Sequence, residues 1–381
     1  MPAPLPSTLE TSVNRLAPAL LLLTGCFKPF GDLPELDFSE ISYDNPLLEV
    51  DDAALAVLDT DLVCPDGEPA RLLAVYRTDI EEPQPVAIVL HSGPFDYLET
   101  TDTEAGEAPE PATPWRVESR LTRSWSIAKV WETLGISPSP VDPGEVHLGA
   151  LPAALTNAGV IQLYPANCWG DLWHGDATDA NGGEAPEAED DALVRDGLTA
   201  AAWTIRYLYE GDFAATIDFN VPATDSSQLY LIGMGEGGRG VGELLSLPNL
   251  PPISGVLVDS TPDRLDPWLA EPLTWPDEVA AIEDIYGDTD PAVVDGASLG
   301  ALSAAGLLPE RVGYVWSSID PQVPVGATAP TAERIAADLP SALVLDTGAR
   351  THIQLNGDLD LATAAVGYLL TGDAAAPQTD R

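Results

Sequence analysis

Leu229-Tyr230-Leu231-Ile232-Gly233-Met234-Gly235-Glu236-Gly237-Gly238 decides the fold. Four apolar residues in succession suit a strand buried on both faces. The glycines that follow mark a backbone that must turn where a Cβ has no room. The stretch therefore predicts a strand, a sharp turn and a helix. Two readings share its glycines. Gly233, Gly235 and Gly238 spell G-x-G-x-x-G, with Asp259 at about the distance of a ribose-binding carboxylate. That motif belongs early in a chain, before a longer helix, whereas this one is late and runs into further glycines. The second reading, a strained turn that thrusts Gly235 above the end of a sheet, fits the local sequence better.

Working outward, similar short apolar runs occur at 86–90, 160–164, 253–258, 313–316 and 342–345, with two further candidate strands at 53–59 and 71–78. Helical patterns lie between them at 116–134, 191–209, 331–339 and 358–370. Strands alternating with helices predict an α/β fold: a mostly parallel central sheet with helices on both faces. Two intervals, 95–157 and a cap-like 261–310, exceed a normal crossover and read as insertions over the ligand end of the sheet. The first opens with an acidic tract at 99–110. The folded domain is expected over 51–371, with a flexible tail at 372–381.

Lys and Arg number 16 against 61 Asp and Glu, a formal charge of −45. Such a polyanion repels nucleic-acid phosphates and anionic head groups, which excludes both as electrostatic partners. With 45% apolar residues the chain still has material for a large core. Lysine occurs only at Lys28 and Lys129, and the acids crowd into loops rather than strand runs. The charge reads as a solvated coat.

Near the start, an apolar stretch from Leu16 to Leu23 leads into Thr24-Gly25-Cys26. It is too short for a permanent membrane span. It resembles a bacterial lipoprotein signal, in which the lipobox cysteine receives a diacylglycerol. The resemblance implies a signal peptide over 1–25, lipidation of Cys26, and a Pro-rich acidic tether over 26–50. The partner is then a membrane, reached through the lipid, and the location a bacterial cell envelope. Phe27 after the cysteine points to the outer membrane.

Gly233-Met234-Gly235-Glu236-Gly237 resembles the G-x-S-x-G nucleophile elbow of the α/β-hydrolase superfamily, with Gly235 in the slot of the serine. Other parts of that layout follow in the family's order. His91-Ser92-Gly93-Pro94, after an apolar run, resembles the oxyanion loop, so the resemblance makes Ser92, Gly93 and Glu236 oxyanion-like positions. The loop Ile319-Asp320-Pro321 resembles the one that carries the triad acid, and Thr351-His352 the one that carries the triad histidine. Asp259, at the end of another strand, is an alternative acid. The resemblance spans about residues 53–370 and implies the α/β-hydrolase fold. It also implies lost serine-hydrolase activity, since Gly235 has no hydroxyl. The expected role is a binding or interaction module for a small-molecule or protein ligand. The alternative is an active hydrolase of ester or peptide-like substrates, using activated water or a non-standard nucleophile; Glu236 is the side chain nearest the slot, and Ser92 and Ser260 sit at strand ends without the elbow geometry. No cofactor or metal is expected.

Trp169, Asp171, Trp173 and His174 follow a strand at the ligand end and are candidates to line a cleft. Asp176, Asp179, Asn181 and Glu184 offer oxygen ligands, but without EF-hand spacing they read as a solvated loop. Once Cys26 is lipidated, Cys64 and Cys168 remain as an even pair in an oxidising compartment. In the hydrolase topology the second strand is antiparallel and adjoins the fourth. The resemblance thereby brings the hairpin at Cys64 toward Cys168 and implies a disulfide.

Overall fold

Alternate residues of the apolar runs enter opposite sides of one eight-stranded sheet. The structure, a computed structural model, describes residues 48–63, 69–90, 136–138, 146–165, 198–210, 222–235, 237–267, 290–320, 323–349 and 353–373. All of them fall in the unit Asp44–Arg381. In chain order the elements are β1 (Leu48–Glu49), β2 (Ala53–Val63), β3 (Pro69–Arg77), β4 (Gln84–Leu90), β5 (Ile136–Pro138), β6 (Val146–Leu148), α1 (Ala150–Asn157), β7 (Ile161–Pro165), α2 (Thr199–Glu210) and β8 (Thr224–Met234). Then follow α3 (Gly237–Ser246), β9 (Gly255–Asp259), α4 (Pro291–Val294), α5 (Leu299–Ala305), β10 (Val312–Trp316), α6 (Val325–Asp338), β11 (Leu343–Asp346), α7 (Gln354–Gly357) and α8 (Leu359–Thr371).

The large sheet runs β2-β3-β7-β4-β8-β9-β10-β11. Only β3 is antiparallel to its neighbours, β2 and β7; every other pair is parallel. The second strand of the sheet is thus reversed and lies beside the fourth, as expected. Leu73, Val75, Ala87, Val89, Tyr230 and Ile232 pack with α1 and α8 on one face. Their sequence neighbours Leu72, Ala74, Val86, Ile88, Leu229 and Leu231 pack with α2, α3, α5 and α6 on the other. A strand covered on both sides reads as a continuous apolar run because neither half of its pleat meets water. Separately, β1, β6 and β5 form a small antiparallel sheet, so the folded part already includes Leu48–Glu49.

Two expectations shift. The helix expected at 331–339 begins at Val325 and carries Pro330 inside it. Pro330, the sixth residue, forgoes one hydrogen bond within the helix, and the helix nonetheless runs through it, so the proline did not set the boundary. Parts of both long intervals are ordinary crossovers: α1 joins the β4 and β7 regions, and α5 precedes β10. The helix expected at 116–134 lies outside the described residues.

Among the residues whose burial is described, the buried acids are Glu243, Asp259 and Asp263. At the far end of the sheet Arg311 Nη1 donates to the carbonyls of Leu369 at 3.1 Å and Leu370 at 2.6 Å. A cation on the last carbonyls of α8 answers the negative end of its dipole.

The tightest approach is at the turn after β8. A Cβ on Gly233 would lie 2.4 Å from Gly238 Cα, and one on Gly238 would lie 1.8 Å from Thr261 Oγ1. Gly233→Ala or Gly238→Ala should lower the unfolding free energy by about 1–3 kcal/mol or more, as overpacking does. Gly367→Ala on α8, where nothing lies within 4 Å, should be neutral or stabilising by up to about 1 kcal/mol. Urea denaturation of the three variants checks the contrast, and equal midpoints would contradict it.

Candidate functional site

At the C-terminal end of β8 the chain turns through Gly235, whose φ of 53° lies in the left-handed region, and enters α3 at Gly237. Gly238 N–H donates to Gly235 O at 3.1 Å, and Gly235 N–H donates to Asp259 O at 2.8 Å. The turn is therefore tied forward to the helix and sideways to the neighbouring strand. β8 is flanked by β4 and β9, with Leu90 and Val258 in register with Gly233. This is the strand, turn and helix that the sequence predicts. The dinucleotide reading fails on the same geometry, since its glycine turn follows the first strand of a doubly wound sheet.

Asp259 ends β9 with its side chain fully buried. Its Oδ1 accepts from Ser260 Oγ at 3.0 Å, and its Oδ2 accepts from Leu355 N–H at 2.7 Å. Ser260 Oγ in turn accepts from Ile353 N–H at 3.1 Å, while Ser260 N–H donates to Val315 O at 2.9 Å. Both Ser260, at φ 54°, and Ile353, at φ 59°, occupy the left-handed region. Such backbones cost on the order of 1–3 kcal/mol each and persist where the surroundings over-determine them. Asp259 is thereby bonded to the backbone that follows His352.

The next loop comes off β10. Asp320, half-buried, accepts from Val323 N–H on Oδ1 at 3.0 Å, and its own N–H donates to Ser317 O at 3.3 Å. Ser317 Oγ donates to Ala349 O at 2.6 Å and accepts from Ile319 N–H at 3.2 Å. Thr347 Oγ1 donates to Gln354 Oε1 at 3.1 Å. Asp346 draws Ser318 N–H and Gly348 N–H onto Oδ1, each at 3.0 Å. Burial alone would raise the Asp346 carboxyl; these donors overcome it and hold it below the usual carboxylate range.

Gly235, Asp259 and Asp320 are the sequence-predicted site residues that the structure describes. It joins the first two directly and sets the third on the adjacent loop. His352, Ser92, Gly93, Glu236, Trp169, Asp171, Trp173, His174, Cys26, Cys64 and Cys168 lie outside the described residues, as does the acidic loop at 176–184. Sequence reading missed the part played by Ser317 and Thr347 and took Ser260 only as a possible nucleophile. A hydroxyl one residue beyond a strand end is the signal available, and it is a common one.

Behind the turn, Arg239 on α3 is completely buried. Its Nη1 donates to Asp263 O at 2.7 Å and lies 3.6 Å from Asp295 Oδ1. Its Nη2 donates to Val294 O and, at 3.4 Å, to Glu243 Oε1. Asp263 accepts from Leu299 N–H at 2.7 Å, Gly300 N–H at 3.3 Å and Thr331 Oγ1 at 2.5 Å. Burial pushes the Asp263 carboxyl up, against the pull of these donors and of Arg239. One guanidinium thus fastens the backbone at Asp263 and Val294 to the helix that begins at the glycine turn. Among the described residues no cluster of three or more His, Cys, Asp or Glu could hold a metal ion. No helix among them is long and apolar enough to cross a membrane.

No protein-family model matches the chain, and no curated protein matches it. Among solved structures, esterase B from Lactobacillus rhamnosis is similar with a TM-score of 0.51 at 11% identity, over 88% of this chain and 91% of that one. An S-formylglutathione hydrolase from Agrobacterium tumefaciens gives 0.47 at 14%, over 85% and 94%. A thermostable esterase from Pseudomonas putida gives 0.46 at 13%, over 93% and 92%. Identities this low speak to the fold alone. With its strand order and its single reversed interior strand, the chain has the α/β-hydrolase fold.

Proposed function

We propose that this chain is a lipid-anchored, extracytoplasmic protein whose α/β-hydrolase-fold domain binds a small-molecule or protein ligand without serine-hydrolase chemistry. One observation carries the reading. The residue at the tip of the turn after β8, where this fold presents its nucleophile, is Gly235 at φ 53°. Without a side chain there is no oxygen to attack a carbonyl and nothing for a histidine to deprotonate. Ligand binding at the ends of β8, β10 and β11 does not depend on that oxygen. Asp320 and His352 are then ligand-contacting groups rather than a charge-transfer pair. The anchor is Cys26, with acyl chains in a bacterial envelope membrane and 26–50 as tether; Cys64 and Cys168 form the disulfide.

The alternative, an active hydrolase with another nucleophile, has one observation on its side: Ser260 sits at a strand end with left-handed φ and its hydroxyl on a carboxylate. That hydroxyl also accepts from Ile353 N–H, and the residue is 1% exposed, so a substrate carbonyl has no approach to it. Ester hydrolysis by the purified chain, across short and long acyl p-nitrophenyl esters, should stay at the buffer rate. Turnover that vanishes in Ser260→Ala would instead support the alternative. The anchor is tested by fractionation: the wild type should follow the membranes and Cys26→Ser the soluble fraction.

A further inference from the structure

We propose that Asp295 and Asp266 share one proton, and that this proton is a pH-sensitive tie between the end of α4 and the segment after β9. The tie is independent of what the site binds. Asp295 directly follows α4, and its Oδ1 accepts from Leu265 N–H at 2.8 Å, which sets Asp266 one residue from the contact. Asp295 Oδ2 is buried, and among the described residues no donor reaches it. Asp266 repeats the pattern: Arg264 donates to its Oδ2, while its Oδ1 is buried with no donor among the described residues. If both side chains were ionised, each would keep an oxygen desolvated and unpaired, which is costly in low dielectric. A proton on Asp295 Oδ2 makes that oxygen a donor, with Asp266 Oδ1 as its acceptor, and satisfies both.

The surrounding charge points the same way. From α3 the facing groups are Arg239 and Glu243, and from the segment after β9 they are Asp263, Arg264 and Asp266. Asp290, at the start of α4, accepts from Ala292 N–H, and Tyr314 on β10 lies near Asp263. Acids therefore outnumber cations around a fully buried guanidinium. Arg239 donates to the carbonyls of Asp263 and Val294 and stands 3.6 Å from Asp295 Oδ1. Asp263 has three donors on its two oxygens and Asp266 has Arg264, so Asp295 is the carboxylate that gains most from a proton. Burial above all, with the Asp266 charge, holds the Asp295 carboxyl above its ordinary range, against Leu265 N–H and Arg239. A carboxyl raised in this way binds its proton more tightly in the folded chain than in the unfolded one. Its contribution to stability is complete below the ordinary carboxylate range and is lost as the pH climbs through the raised value. Asp263 is raised by burial too, and its titration is common to the wild type and the variants compared below.

Asp295→Asn supplies the test, because the amide keeps an acceptor for Leu265 N–H and puts a permanent donor in the place of the proton. Urea unfolding of the full chain is followed from about pH 4 to about pH 8, across the range where carboxyls of ordinary and raised affinity ionise. At the acid end the unfolding constants of wild type and variant should agree within about twofold. At the alkaline end the wild-type constant should exceed that of the variant by about fivefold or more, the low end of what an unpaired buried polar group costs. Asp266→Asn should flatten the same span, and the double variant should add nothing further, because one shared proton is removed only once. The infrared carbonyl band of protonated carboxyls, recorded midway in that span, should lose intensity in Asp295→Asn. An identical band, or a ratio of unfolding constants that stays level across the span, would overturn the proposal. Stabilisation of the wild type by calcium that Asp295→Asn abolishes would also overturn it, since a cation and not a proton would then join the two carboxylates.

Discussion

Arg239→Met lowers the free energy of unfolding by about 3–5 kcal/mol, the loss expected when one partner of a buried ionic cluster is removed. Methionine matches the stem of arginine and fills most of its volume. It takes the Arg239 donor from the carbonyls of Asp263 and Val294 and the Arg239 charge from Glu243 and Asp295. Replacing every member by apolar groups is often neutral; removing one is not, because the others stay behind in low dielectric. Arg239→Lys restores the charge but not the fork that reaches two carbonyls from different segments, so it should recover only part of the loss. Urea denaturation of the Cys26→Ser background provides the measurement. A loss under about 1 kcal/mol for Arg239→Met would mean the cluster does not fasten the backbone at Asp263 and Val294 to α3.

Gly235→Ser confers esterase activity on the order of 10²-fold or more above the wild type, the lower range of what a positioned general base supplies. The gain is argued from what is already in place. The turn at Gly235 has the left-handed backbone that a nucleophile at this point requires, and the chain holds another serine, Ser260, at nearly the same φ. Entering that region costs a serine about 1–2 kcal/mol, so the variant should be less stable by that amount. His352→Gln in the Gly235→Ser background should abolish the gain, since a serine without its base is a poor nucleophile. A folded Gly235→Ser chain with no gain would show that Asp320 and His352 are no longer aligned to serve one.

The fold was legible because its signals are local. Runs such as Val86-Ala87-Ile88-Val89-Leu90 identify strands buried on two faces, and the glycines from 233 to 238 allow one sharp turn and little else. The order of elbow, acid loop and histidine loop then selects the sheet topology. The site was legible as positions rather than as interactions. Asp259 reads in sequence as a strand-end carboxylate suited to acid catalysis, and its bond to Leu355 spans 96 residues of chain, a separation that no motif encodes. Arg239 was likewise silent: no motif singles it out, and its partners Asp263 and Val294 lie 24 and 55 residues further along the chain. Tertiary enclosure, and not propensity, decided both.

The most direct measurement for the central claim is intact mass after incubating the wild-type chain with a serine-directed fluorophosphonate. The account predicts an unchanged mass for the wild type and one added phosphonyl group for Gly235→Ser. One equivalent on the wild type, mapped to a serine whose replacement removes ester turnover, would contradict it.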